Sequence, residues 1–202
     1  MSRLTFLTLA LLPASVTLFA QQSAPATSHT RVIRYTPPAH LPDRAKAGEC
    51  AGPSVAADFR ADAWRCTSGS TTYDPCFITA HADRVLCDVD PRDASSGTVL
   101  TLASSLPHVT SDSSVGGSRA WFFELTDGST CRPLLGAARR EIEGLTEIYT
   151  CRFGSAGDAD AVMGDLDASG DVWTIQKTLI NKKVDPQTIK SAMSSAVRTV
   201  WQ

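Results

Sequence analysis

The sequence predicts a mainly β domain of antiparallel strands and hairpins, stapled by disulfides, with at most one short C-terminal helix. Three observations point there. The stretch from Trp121 to Cys151 carries an aromatic-rich strand, an Asp127-Gly128 turn, a second strand holding Cys131, and a Gly144 turn before a strand ending on Cys151. Asp-Gly between apolar runs is a strong hairpin signal, because both turn residues tolerate positive φ. The chain also holds six cysteines, an even number that reads as disulfides once export is expected. Elsewhere the apolar runs are short and β-branched, with Gly, Ser, Asp and Pro between them, as strands and turns require.

Export is expected from the first twenty residues. Arg3 supplies a positive start, Leu4 to Phe19 is Leu-rich, and Ala20 offers a small residue for cleavage, the layout of a secretory signal. Pro13 and the shortness of the run argue against an anchor, and no later run is long enough to span a bilayer. Residues 21–48 are rich in Ser, Thr, Pro and Ala and read as a spacer, with Val32, Ile33 and Tyr35 as the residues able to fasten it. Residues 49–202 are then a single β-rich domain. A net charge of −2 in 202 residues leaves no basic stripe for nucleic acid and no polybasic patch for an anionic membrane.

Within that domain, Val55, Ala57 and Phe59 alternate briefly, and Ala63–Thr67 reads as a strand carrying Trp64. Ser68–Asp74 has turn composition. Cys76–Ala80 and Arg84–Val89 make a hairpin with His81–Asp83 at its tip, and Gly97–Ala103 is a further strand. Pro107–Ser118 is a Ser/Gly loop. Ala137–Glu143, bracketed by Gly136 and Gly144, reads as strand because it is too short to stand as a helix. Phe153–Asp171 reads as a long acidic loop, and Val172–Asn181 as a strand. At the end, Asp185-Pro186 resembles an N-cap with Pro in the first turn. The apolar residues from Ile189 to Val200 fit helix or strand, so a helical turn followed by a closing strand is expected.

Cys50, Cys66, Cys76, Cys87, Cys131 and Cys151 allow many pairings, and spacing alone selects none. Hairpin logic suggests Cys50 with Cys66, Cys76 with Cys87 and Cys131 with Cys151. No C-x-x-C pair is present, so zinc is not expected.

The sharpest motif is Asp165-x-Asp167-x-Ser169-Gly170-Asp171, the opening of a calcium loop in which oxygens at alternate positions converge on one cation. Its twelfth position is Gln176 rather than a bidentate Glu, and a strand follows. The expected reading is a solvated acidic turn, with no metal and no cofactor. There is no G-x-S-x-G, phosphate-binding loop or dinucleotide fingerprint. His81 and His108 sit at polar turns and are poor bases. Glu124, Asp127, Glu141, Glu143 and Glu147 are the carboxylates a glycosidase would draw on, but they sit mostly at turns or alternating strand positions. Trp64, Trp121, Trp173 and Trp201 each lie in an expected strand, where packing rather than sugar stacking is expected. No catalytic residue is assigned.

The order Trp64-Arg65-Cys66, Asp74-Pro75-Cys76-Phe77 and Cys87 resembles a group of uncharacterised exported bacterial proteins. So does Trp121-x-x-Glu124-Leu125-x-Asp127-Gly128-x-x-Cys131, with Gly136-Ala137, Gly144, Tyr149-x-Cys151, Trp173-Thr174 and Val200-Trp201. The resemblance spans most of Cys50–Trp201 and implies one domain with a closing strand. It implies no activity. The Asp158–Asp171 stretch departs from it, which keeps calcium open. The expected function is a secreted or periplasmic, non-catalytic binding or envelope-associated module, its partner an envelope component or a protein. The alternatives are a hydrolase of envelope polymers and an enzyme inhibitor presenting Pro107–Ser118.

Overall fold

A computed structural model describes residues 29–106, 119–135, 141–152, 161–181 and 188–202. The expected signal segment, the Pro107–Ser118 loop, His108 and residues 137–140 of the expected Ala137–Glu143 strand lie outside these. The described residues are all-β, mostly antiparallel, and contain no helix, so none is long and apolar enough to cross a membrane.

Strand β1 (Arg31–Ile33) comes first, followed by β2 (Ala45–Pro53), β3 (Ala63–Ser68), β4 (Thr71–Ile78), β5 (Arg84–Cys87) and β6 (Thr98–Leu102). Strands β2 to β6 form a meander that closes into a barrel when β6 pairs in parallel with β2. Closure needs a glycine at Gly48: a Cβ there would stand 2.9 Å from both Leu100 Cδ1 and the Thr67 carbonyl oxygen. Residues 31–33 and 45–48 of the expected spacer are thus strand, and Tyr35 is buried. The Val55–Phe59 alternation is not a strand. Its backbone turns back because Ser54 Oγ accepts the Ala57 N–H and the Asp74 carboxylate accepts those of Val55 and Ala56, a local competition with the ladder. The expected Ser68–Asp74 turn contracts to the two residues before Thr71, with Gly69 at φ 59°, and β4 starts there.

The second half contributes β7 (Phe122–Leu125), β8 (Thr130–Pro133), β9 (Glu141–Ile142), β10 (Leu145–Thr146), β11 (Tyr149–Arg152), β12 (Ala161–Asp167), β13 (Thr174–Asn181) and β14 (Thr188–Trp201). The Asp127-Gly128 hairpin forms as expected, with Asp127 Oδ1 accepting the Ser129 N–H. Strands β14, β13, β12, β11, β8 and β7 pair in that order, and β7 returns to β14, so the six run round as a ring of antiparallel pairs. Strand β1 lies in parallel against the far end of β14. Thr30 bridges the place where β13 and β1 both start: its Oγ1 donates to the Val197 carbonyl and accepts the Trp173 N–H.

Two expectations fail here. The helical turn after Pro186 does not form from Thr188 onward: Thr188–Trp201 is one strand of fourteen residues, laddered to β13 and then to β7. Of the residues that kept helical spacing, Val197 and Val200 are buried in the ring core while Ala192 and Met193 face solvent, Met193 being 49% exposed, and the ladder to β13 fixes their conformation. The Phe153–Asp171 loop also contains β12, whose Leu166 is buried between exposed Asp165 and Asp167. Clustered aspartates masked a period-two pattern.

Barrel and ring are joined by aromatic packing. Successive β5 residues alternate between two clusters. Val85 and Cys87 go with Cys66, Cys76, Leu100 and Leu102, while Leu86 joins Phe77, Val99, Tyr35, Trp121, Phe122 and Trp201. In the second cluster Tyr35 meets Phe77 at 4.9 Å and Trp121 at 5.2 Å, and Phe122 meets Trp201 at 5.3 Å. A third cluster, inside the ring, packs Phe123 edge-on to Tyr149 at 5.0 Å among Leu125, Ile175 and Val200.

Burial pushes the Tyr35 hydroxyl up to about 12, against the opposing pull of the Arg60 guanidinium, and burial also raises that of Tyr149. For an acid raised in the folded state, the unfolded chain releases its proton first. The contribution of Tyr35 is therefore constant below pH 10 and is lost as pH rises from about 10 to about 12, by at most about 2 kcal/mol once screening by solvent is allowed for. Ultraviolet titration of phenolate beside urea midpoints at each pH tests this. Complete ionisation of all three tyrosines near pH 10, in protein still folded, would contradict it.

Candidate functional site

The three disulfides join Cys50 to Cys66, Cys76 to Cys87 and Cys131 to Cys151. Each links residues directly opposite on neighbouring antiparallel strands: β2 with β3, β4 with β5, and β8 with β11. They mark a protein of an oxidising environment.

The acidic motif forms a turn. Asp167 Oδ1 accepts the Ser169 N–H, which holds its carboxyl below the usual range, and the strands on either side pair through Asp167 and Thr174. Asp165, Asp167 and Asp171 are exposed and do not converge: among the described residues the one group of three close metal-ligating atoms is Cys66, Cys76 and Cys87, already in disulfides. His81 is exposed and lines a shallow recess with His40 and Asp43. The expected carboxylates are scattered. Glu124 pairs with Arg198 at 3.5 Å, Glu143 accepts the Ile189 N–H, Asp127 caps its own turn, Glu141 is exposed and Glu147 is buried.

What the structure does bring together is a cleft where the barrel meets the ring. The first chamber, 310 Å³, is lined from the barrel by Thr71–Pro75, Ala56, Asp88 and Val89, and from the ring by Trp121, Arg132, Pro133 and Leu135. Its walls are mainly apolar. The Asp74-Pro75 bond is cis, and Asp74 is spoken for by Ser54 Oγ and the two N–H groups it caps. Asp88 takes φ 50°, a left-handed conformation that Asp tolerates better than most residues. Its carboxylate meets Arg132 at 3.1 Å. At the mouth, Leu135 is 44% exposed.

A second, more polar chamber of 440 Å³ lies on the other side of the Asp88–Arg132 pair, since both residues line both spaces. Its floor is Phe122, with the Arg92 and Arg132 guanidiniums 5.6 and 5.2 Å from the ring centroid. Arg92 is held by Asp90 through two hydrogen bonds of 2.9 and 2.6 Å, and that bond keeps the Asp90 carboxyl below its ordinary value. Arg132 also donates to the Val89 carbonyl at 2.8 Å. Ser96, Thr130 and Thr150 add hydroxyls to the walls.

Trp121 is the unusual member of the cleft wall. It is 2% exposed, and its indole Nε1 is buried with no hydrogen-bond partner among the described residues. An unmet N–H costs about 1–3 kcal/mol. Trp64 Nε1 and Thr178 Oγ1 share that condition, but neither lines this cleft.

Sequence reasoning placed Trp121 in the core and did not find the cleft. Tyr73 and Asp74 on β4, Asp88 just after β5 and Arg132 on β8 are far apart in sequence, and no spacing connects them. The one available signal was Asp74-Pro75-Cys76, quoted in the resemblance but carrying no role. Compared with protein-family profiles, curated proteins and solved structures, the chain matches none.

Proposed function

We propose that the chain is a secreted or periplasmic, non-catalytic binding module whose ligand seats in the cleft between barrel and ring. The ligand is a small molecule with an apolar body and a hydrogen-bond acceptor. The observation that carries this reading is a 310 Å³, mainly apolar chamber with the half-exposed Arg132 guanidinium in its wall as the hydrogen-bond donor. That volume falls in the range of small-molecule sites, in which a few polar groups set orientation on an apolar lining. The polar second chamber supplies room and hydroxyls for a hydrophilic extension, which suits a fragment of an envelope polymer. Hydrolysis has less support, because Asp74 and Asp88, the carboxylates lining the first chamber, are already engaged by Ser54 and Arg132.

The test is the melting temperature of oxidised residues 21–202 against a panel of cell-wall fragments and oligosaccharides. A ligand at a hundred times its dissociation constant adds about 2.7 kcal/mol, a shift of several degrees at this size. Arg132→Met removes the donor shared by both chambers and is expected to weaken binding roughly tenfold. Leu135→Asp, at the mouth, is expected to weaken it further without changing the unliganded melting temperature. A ligand indifferent to both substitutions, or silence across the panel, would overturn the reading.

A further inference from the structure

We propose that the two barrel disulfides form one exchange unit, in which an external dithiol that opens Cys50–Cys66 passes its electron pair on to Cys76–Cys87. This is independent of the cleft. The sulfurs of Cys66, Cys76 and Cys87 all lie within 4.8 Å of one another, although these residues come from three successive strands. All three residues have no exposure, whereas Cys50 is partly exposed. The pair of bonds therefore has one entrance at its rim and a short sulfur-to-sulfur gap behind it. Cys131 and Cys151 belong to the ring and lie outside this group.

The steps balance without any further reagent. A thiolate of the dithiol attacks Cys50 Sγ, forming a mixed disulfide and releasing Cys66 as thiolate. The reagent's second thiol attacks its own sulfur, leaves as a cyclic disulfide, and returns Cys50 as a thiol. The Cys66 thiolate then attacks Cys76 Sγ, its neighbour on the adjoining strand, and Cys87 leaves as a thiolate that takes a proton from water. Two electrons and two protons have entered, one disulfide of the protein is gone, and a Cys66–Cys76 bond has replaced two bonds. Exchange of this kind depends on thiolate access to the bond attacked, and here the packing of β3 on β4 supplies it. The chemical partner is a dithiol, small or carried on a protein.

The Cys50→Ser variant tests the second step alone, because it leaves Cys66 unpaired beside an intact Cys76–Cys87 bond. After incubation at mildly alkaline pH the protein is quenched with acid, unfolded, and labelled with a maleimide. Peptide mapping is expected to find label shared between Cys66 and Cys87, together with a Cys66–Cys76 peptide. The Cys66→Ser variant is the control. Cys50 is not among the clustered sulfurs, so label is expected on Cys50 alone. Label confined to Cys66 in the first variant would overturn the proposal. So would scrambling in both variants, which would mark general unfolding rather than a relay. Should Cys50→Ser not fold, the wild-type chain treated with one equivalent of dithiothreitol serves instead. A thiol at Cys87 beside an intact Cys131–Cys151 bond supports the relay, and thiols at Cys50 and Cys66 only refute it.

Discussion

Replacing Phe122 by alanine is expected to destabilise the protein by about 3–5 kcal/mol, the usual cost of removing a buried aromatic ring. The ring is 1% exposed and sits at the seam of the fold. It packs against Trp121 at 5.9 Å and Trp201 at 5.3 Å, and the Arg92 and Arg132 guanidiniums cover it from the cleft side. Alanine removes the aromatic link between barrel and ring and also the platform on which both cations rest. Phe122→Leu keeps much of the volume and loses the ring face, so its cost is expected to be smaller, about 1–2 kcal/mol. Urea unfolding of the three proteins measures both. If alanine costs less than about 1 kcal/mol, the seam is not where this fold is held. The same series bears on the cleft: Phe122→Leu leaves the first chamber walled but loosens Arg132, so ligand binding should weaken more than stability does.

That seam also marks the limit of what could be read from the sequence. Hairpins were legible because their signals are local. Asp127-Gly128 needs only its own φ angles, and cysteines that face each other across a hairpin are near in sequence as well as in space. Closure was not legible. The β2–β6 and β1–β14 pairs are parallel and join residues far apart in sequence, and nothing in Ala45–Gly48 or Arg31–Ile33 announces a distant partner. The C-terminal strand illustrates the same point from the other side. Ile189, Ala192 and Ala196 keep helical spacing, yet the ladder to Thr174–Asn181 decides their conformation, as tertiary pairing overrides weak propensity. The cleft was hidden for a related reason: its walls are the ends of several hairpins, and only the closed fold sets them face to face. Buried Trp residues were rightly expected as packing, and Trp121 packs with even its indole N–H out of reach of solvent.

Arg60→Ala is the second large loss, expected at about 3 kcal/mol, the lower end for breaking a buried ion pair. Arg60 is 5% exposed and reaches four groups at once. It holds the Asp62 carboxylate through two nitrogens, and one remaining nitrogen donates to the Tyr35 and Gln202 carbonyl oxygens at 2.9 and 2.7 Å. Its guanidinium also lies 4.7 Å from the centroid of the Phe77 ring. The residue therefore ties a turn of the barrel half to the two chain segments that flank the ring, β1 and the end of β14. Asp62 keeps some contact with water, its side chain being 26% exposed, which places the cost below that of a fully buried pair. Arg60→Lys retains charge but not the fork, and a lysine cannot serve Asp62 and two carbonyls together; it is expected to lose nearly as much as alanine. The alkaline limb supplies a readout that lost packing alone would not move. Arg60 favours the Tyr35 phenolate, so in Arg60→Ala that hydroxyl titrates at still higher pH, whereas in Arg60→Lys it stays near the wild-type position. A lysine variant as stable as wild type, or an unshifted Tyr35 titration in the alanine variant, would show that Arg60 is not the clasp between the two halves.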